Sequence, residues 1–281
     1  RRRRPRSEGR SQSESRRQQG SQAMSSEKTP LMGEAAGGQH KVERPKDWKT
    51  AKNQGWKAPV YTDAAVKRAV QKDFLFKVYG ILAMQLSVTV AFCALFMLVP
   101  AANGFAVANR TPIILLTFIP TLGIIIALFF LKNSYPWNGI LLAAFTLFES
   151  LMIGTVCAVY QENNKGQAVA VAWVLTLFVF VALTVFVWLS DIDFSFLGYF
   201  LPIALLILIL WAFTAIIFGF KLGWLYGTIG ALIFTGYILY DTDQIMKHMG
   251  CDDHVIAAIE LYLDVLNLFL MFMAIFGGGG D

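Results

Sequence analysis

The sequence predicts an all-α membrane protein built as a bundle of seven transmembrane helices. Three observations carry that prediction. Hydrophobic residues make up 56% of the 281-residue chain and charged residues only 15%, whereas a soluble domain carries about 25% charged residues. Mean hydropathy is +0.54. From Val78 onward the chain reads as apolar runs near the ~20 residues that a helix needs to cross a bilayer, joined by links too short to be domains.

The predicted spans are Val78–Val99, Pro112–Leu131, Asn138–Tyr160, Gln167–Leu189, Phe196–Phe218, Gly223–Ile245 and His254–Phe276. The links "NSYPW", "QENNKG", "SDID", "GFKL" and "KHMGCDD" carry the polar, Gly and Pro residues that end helices. Short links make consecutive spans neighbours in an up-and-down bundle. Pro120 and Pro202 fall inside spans, where neighbouring helices can satisfy a freed carbonyl. Trp137, Trp188 and Trp224 stand near span ends, as interfacial anchors do; Trp211 lies deeper and is assigned to packing.

Charge is unevenly placed. Residues 1–77 carry a net +11 and residues 78–281 a net −6, which together give the chain's +5. The basic character belongs to the tail. Residues 1–60, opening "RRRRPRSEGRSQSESRRQQGSQ", have the low hydrophobicity of a disordered cytosolic segment. A basic run of this kind suits anionic lipid; nucleic acid is not expected as a partner. Residues 61–77 place Val66, Val70 and Phe74 opposite Lys67, Arg68 and Lys72. That pattern fits an amphipathic interfacial helix, or equally an extension of the first span. Residues 78–276 form the membrane domain, and residues 277–281 a short C-terminal tail. Lys57, Lys67, Arg68, Lys72 and Lys77 precede the first span and place the N-terminus in the cytosol. Lys132 and Lys247 are then inside, and Arg110, Lys165 and Lys221 outside.

The stretch "ELYLDVLNLF" interrupts the last apolar run with Glu260, Asp264 and Asn267, at i, i+4 and i+7 on one helical face. An Asp at the centre of a membrane helix costs about 2.5–3.5 kcal/mol. Glu149 in the third span and Asp241 near the end of the sixth carry the same burden. Lys132, at the end of the second span, is the cation able to reach inward. Spans six and seven are antiparallel neighbours. Asp264 lies about 15 Å deep at 1.5 Å per residue, so meeting Asp241 requires a tilt or a sixth span that runs past Ile245. Two carboxyls that meet cannot both ionise cheaply, and they share a proton. With both ionised, their hard oxygens suit Ca²⁺, bound transiently. Lys132 could lock the pair by standing in for that cation. Glu260 and Glu149 read as accessory pore or vestibule carboxylates, Glu149 with a structural hydrogen bond as the alternative. Asn267 reads as helix-packing glue.

Other chemistries find little support. Paired aspartates on consecutive spans suggest intramembrane proteolysis, and "YD" at Tyr240–Asp241 resembles one motif of presenilin-type proteases. Asp264, however, follows "LYL" rather than Gly, and "PIAL" at 202–205 stands before rather than after the pair. There is no phosphate-binding Gly loop and no Ser/His/Asp order, and His248 and His254 lack ligand spacing. Cys93, Cys157 and Cys251 have neither metal spacing nor an even count, so no disulfide framework is expected. The chain is not expected to be an enzyme or to hold a cofactor.

"YILYDTDQIM" followed by "HVIAAIELYLDVLNLFL" resembles the signature of the Bax-inhibitor/lifeguard family. "FLFKVYGILAMQLSVTV" and "YPWNGILLAAFTLFESLMIG" resemble its lifeguard branch, with the Golgi-type proteins nearest. The resemblance runs from about Phe74 to Phe276. It implies seven spans with the last helix central, and a pH-dependent Ca²⁺ leak from internal stores. It further implies suppression of cell death and residence in an endomembrane such as the Golgi, the endoplasmic reticulum or a vacuole or lysosome. By resemblance the gating aspartates are Asp241 and Asp264. Lys132 takes the position of an arginine latch, but lacks the two-pronged geometry of a guanidinium. Glu260 stands where relatives carry a small polar residue. The function expected is therefore a proton-sensitive Ca²⁺ leak channel whose partners are the bilayer, Ca²⁺, protons and cell-death regulators. A non-conducting scaffold for those regulators and a proton-coupled cation carrier are the alternatives.

Overall fold

The computed structural model of the chain describes residues 64–132, 134–190, 192–219, 222–247, 249 and 253–277, with side chains from Val70 onward. The basic tail, Lys57, the side chains of Val66, Lys67 and Arg68, and Lys221, His248, Cys251 and residues 278–281 lie outside the described residues. Every regular element among those described is a helix: α1 Ala64–Leu98, α2 Pro100–Ala108, α3 Arg110–Leu131, α4 Trp137–Glu162, α5 Gly166–Leu189, α6 Leu197–Phe218, α7 Trp224–Lys247 and α8 His254–Gly277.

The boundaries follow local chemistry. From Ala64 the segment before the first span is continuous with it in α1, which runs for 35 residues. It stops before Pro100, which disfavours helical backbone at the residue it follows. Val99 is accordingly extended, and Pro100 opens α2 at the first helical position. The nine-residue α2 was not expected from the sequence. Pro120 and Pro202 are carried inside α3 and α6 without ending either helix.

Six helices are long and apolar enough to cross a membrane by length and composition: α1 over Val70–Leu98, α3, α4, α5, α6 and α8. The 24-residue α7 is not among them; Asp241 and the helix's Gly, Thr and Tyr residues dilute its apolar run. The protein is an all-α membrane bundle with α8 at its centre. The most apolar window of α8 is 61% buried, against 17% for α3 and for α6. α8 packs on α7, α5, α1 and α4, while α3 leans chiefly on α4 and α6 on α7. The largest fully buried side chains include Tyr262, Phe269, Leu266, Leu268 and Met273, all from α8. Trp173 of α5 stacks on Phe269 with ring centroids 4.3 Å apart. Trp137, Trp188 and Trp224 are exposed at helix ends, and Trp211 packs edge-on against Tyr226 at 5.5 Å.

A buried polar network joins α1, α4 and α8. Gln85 donates to Thr146 Oγ1 at 3.1 Å. The Thr89 hydroxyl lies 3.0 Å from Ser150 Oγ and 2.7 Å from the Tyr262 hydroxyl. Apolar packing alone gives little orientation between helices in lipid, and such bonds supply it. Tyr262 sits about 160° around α8 from Asp264 at 100° per residue, so its bond to Thr89 helps fix which way Asp264 faces. Tyr262→Phe keeps the edge-on ring contact with Phe145 and loses only the hydroxyl. We expect it to lower stability by about 0.6–1.7 kcal/mol, read as a lower thermal midpoint in detergent, with a non-additive cycle against Thr89→Val.

Candidate functional site

The site forms where the end of α7 passes the first half of α8. α7 runs past Ile245 to Lys247, one of the two ways, beside a tilt, by which the sequence allowed Asp241 to meet Asp264. Both carboxyls are buried, with Asp241 9% and Asp264 6% exposed. They are in hydrogen-bond contact with each other. A carboxyl–carboxyl hydrogen bond needs one proton between the two groups. The second oxygen of Asp264, Oδ2, is buried and has no hydrogen-bond partner among the described residues. The phenol of Tyr237 lies within electrostatic reach of both acids, and that of Tyr240 within reach of Asp241 and Glu260.

Glu260 is half-buried, one turn toward the N-terminus of α8. It lies within electrostatic reach of Asp241, Asp253 and Lys132. Lys132, just past α3, places its Nζ 2.7 Å from Asp253 Oδ1, and both side chains are about one-third exposed. Its ammonium thus meets the residue preceding α8, not the aspartate pair. Glu149 is buried on α4, on the opposite side of α8, within reach of Tyr262. No hydrogen bond from it to a neighbouring helix is found among the described residues, so it stands apart from the aspartates. Asn267 donates its amide to Leu263 O, 2.8 Å away in its own helix, so that donor does not join α8 to another helix.

Two groups escaped the sequence reading. Asp243 is fully buried. Its Oδ2 accepts the Phe194 N–H at 3.0 Å. Its Oδ1 lies 2.5 Å from Lys247 Nζ, a charge contact rather than an aligned hydrogen bond. Lys247 also donates to Ile192 O, and Gln244 donates to Ser195 Oγ at 3.0 Å. The α5–α6 link is thereby fastened to the end of α7 that carries Asp241. An i,i+4 Asp–Lys pair at a helix end was the available signal. The second group is Cys93 and Cys157, free thiols buried 3.4 Å apart between α1 and α4. Their 64-residue separation gave no hint of contact.

Among the described residues no three His, Cys, Asp or Glu side chains converge as metal ligands do. The family model "Inhibitor of apoptosis-promoting Bax1" matches residues 71–281. The chain belongs to the Bax-inhibitor/lifeguard family. The family match begins within α1 and includes every residue of the aspartate site. The BI1-like protein of Arabidopsis thaliana is 37% identical over 213 residues, covering 74% of this chain and 81% of that protein. Protein lifeguard 4 of Mus musculus is 36% identical over 203 residues, 72% of this chain and 83% of its own. The Golgi anti-apoptotic protein of Vaccinia virus (strain Lister) is 37% identical over 202 residues, with coverages of 72% and 83%. Bax-inhibitor/lifeguard membership thus spans both plant and animal relatives.

Proposed function

We propose that the protein is a pH-sensitive Ca²⁺ leak channel of intracellular membranes, gated by Asp241 and Asp264, that contributes to calcium homeostasis and to suppression of cell death. The observation that carries this reading is the hydrogen-bond contact of two buried carboxyls on antiparallel neighbours. While the pair shares one proton, it is a singly charged, hydrogen-bonded link between α7 and α8. When the proton leaves, two adjacent negative oxygens need a cation between them, and Ca²⁺ favours such ligands. In this reading α7 also crosses the membrane, which brings the spans to seven, its cost offset by the partner on α8. Lys132 latches the Asp253 and Glu260 end of α8 rather than bridging the pair. The lysine-rich approach to α1 keeps the N-terminus cytosolic, and the basic tail meets anionic lipid or cell-death regulators. The name of the viral relative supports an anti-apoptotic role and a Golgi or related endomembrane.

The test is Ca²⁺ flux into dye-loaded proteoliposomes across about pH 5 to 8, since a coupled carboxyl pair loses its protons in two separate steps. Wild type should show flux that varies with pH, and Asp241→Asn and Asp264→Asn should each lose that variation. Flux no greater than that of empty liposomes would instead favour a scaffold that binds cell-death regulators without conducting.

A further inference from the structure

α8 is enclosed on every side but one. Between Val255 and Met271 the half-buried positions are Ile256, Glu260, Leu263, Asn267 and Leu270, and every other side chain is buried. Their spacing of four, three, four and three residues makes one narrow strip along the helix. Asp253, half-buried and paired with Lys132, starts the strip at one end. Ala274 continues it at the other, where it opens into a cavity of about 290 Å³ lined also by Tyr160, Asn163, Lys165 and Gly277. From Asp253 to Ala274 the helix rises about 31 Å, close to the ~30 Å of a bilayer's hydrocarbon core.

The strip is not purely apolar. Glu260 presents a carboxylate. The amide nitrogen of Asn267 is used on Leu263 O, which leaves its carbonyl oxygen as a hard acceptor. Acyl chains would gain nothing from these groups, and a carboxylate facing them is costly. Asp264 lies about 40° around the helix from Glu260, so the aspartate pair borders the strip from the side. At the far mouth Lys165 places its Nζ 2.5 Å from the carbonyl of Gly277, the last residue of α8.

We propose that this strip is the path of a hydrated cation along α8, with Glu260 and Asn267 as its coordinating oxygens and the Lys165 ammonium as the stopper at its far mouth. The assignment rests on the leak reading, and the test separates the two. With Cys93, Cys157 and Cys251 replaced by alanine, single cysteines at Leu263, Asn267 and Leu270 are exposed to a charged trimethylammonium methanethiosulfonate, with Leu268→Cys as the buried control. The three strip positions should be modified and the control should not. Failure of all three to react, or equal reaction at Leu268, would overturn the path. In the flux assay Asn267→Leu should reduce Ca²⁺ flux several-fold and Lys165→Ala should raise it. Unchanged flux in both, in a protein that conducts, would overturn the roles given to these side chains. Reactive strip cysteines in a wild type that passes no Ca²⁺ would sink the leak reading and leave a water-filled strip standing.

Discussion

Gly227→Leu should yield no stable bundle, and Gly227→Ala should cost about 1–3 kcal/mol, the usual penalty for forcing atoms into a closed contact. A side chain at this position would begin 2.9 Å from the carbonyl oxygen of Met271 and 3.1 Å from the amide nitrogen of Ile275. Those are backbone atoms of α8, and no rotamer change moves them aside. The helices must separate instead. Asp241 lies about four turns along α7 from this contact, so a displaced α7 also withdraws Asp241 from Asp264. Gly230 makes the useful contrast. An added Cβ there meets the Met271 thioether, the flexible end of a side chain. Met271→Ala should therefore rescue Gly230→Ala and fail to rescue Gly227→Ala. Gel filtration and thermal midpoints in detergent read both. A Gly227→Leu protein as stable as wild type would mean that α7 and α8 do not approach at that point.

Asp243→Ala should destabilise the protein by about 3 kcal/mol, the low end for breaking a buried ion pair by removing one partner. The low end applies because the Lys247 side chain is 30% exposed and keeps some hydration while Asp243 has none. The variant also strips the Phe194 N–H of its acceptor. Asp243→Asn keeps the size and one acceptor oxygen, and should lose less. Thermal unfolding orders the three proteins. Equal midpoints for wild type and Asp243→Ala would show that the link between α5 and α6 is held by something else. Because Asp241 stands two residues earlier on the same turn, loss of this anchor should also alter the pH profile of flux without touching the aspartate pair.

Much of the fold was legible because its signal is solvation. A helix among lipid chains needs an unbroken apolar run, and the ends of α3, α4, α5 and α8 fall within two residues of the predicted spans. The facing of Glu260, Asp264 and Asn267 followed from spacing alone. What spacing cannot say is which neighbour a face meets. Of the three, only Asp264 is buried, while Glu260 and Asn267 lie on the half-open strip. The Lys132–Asp253 contact joins residues 121 apart in links that carry no periodic pattern. Gln85, Thr89 and Ser150 were invisible for another reason. Each is polar enough to bond across helices and mild enough to pass within an apolar run, so their pairing is a product of packing.

The central place of α8 bears on how the protein is made. During synthesis α1 to α7 leave the ribosome before the helix around which they are arranged. Until its 24 residues are inserted, Thr89 lacks Tyr262, Asp241 lacks Asp264, and Gly227 faces a gap. A nascent chain halted before His254 would carry all of those unmet groups into the bilayer. It should be recognised by quality-control machinery as unassembled, even though each of its helices is well formed.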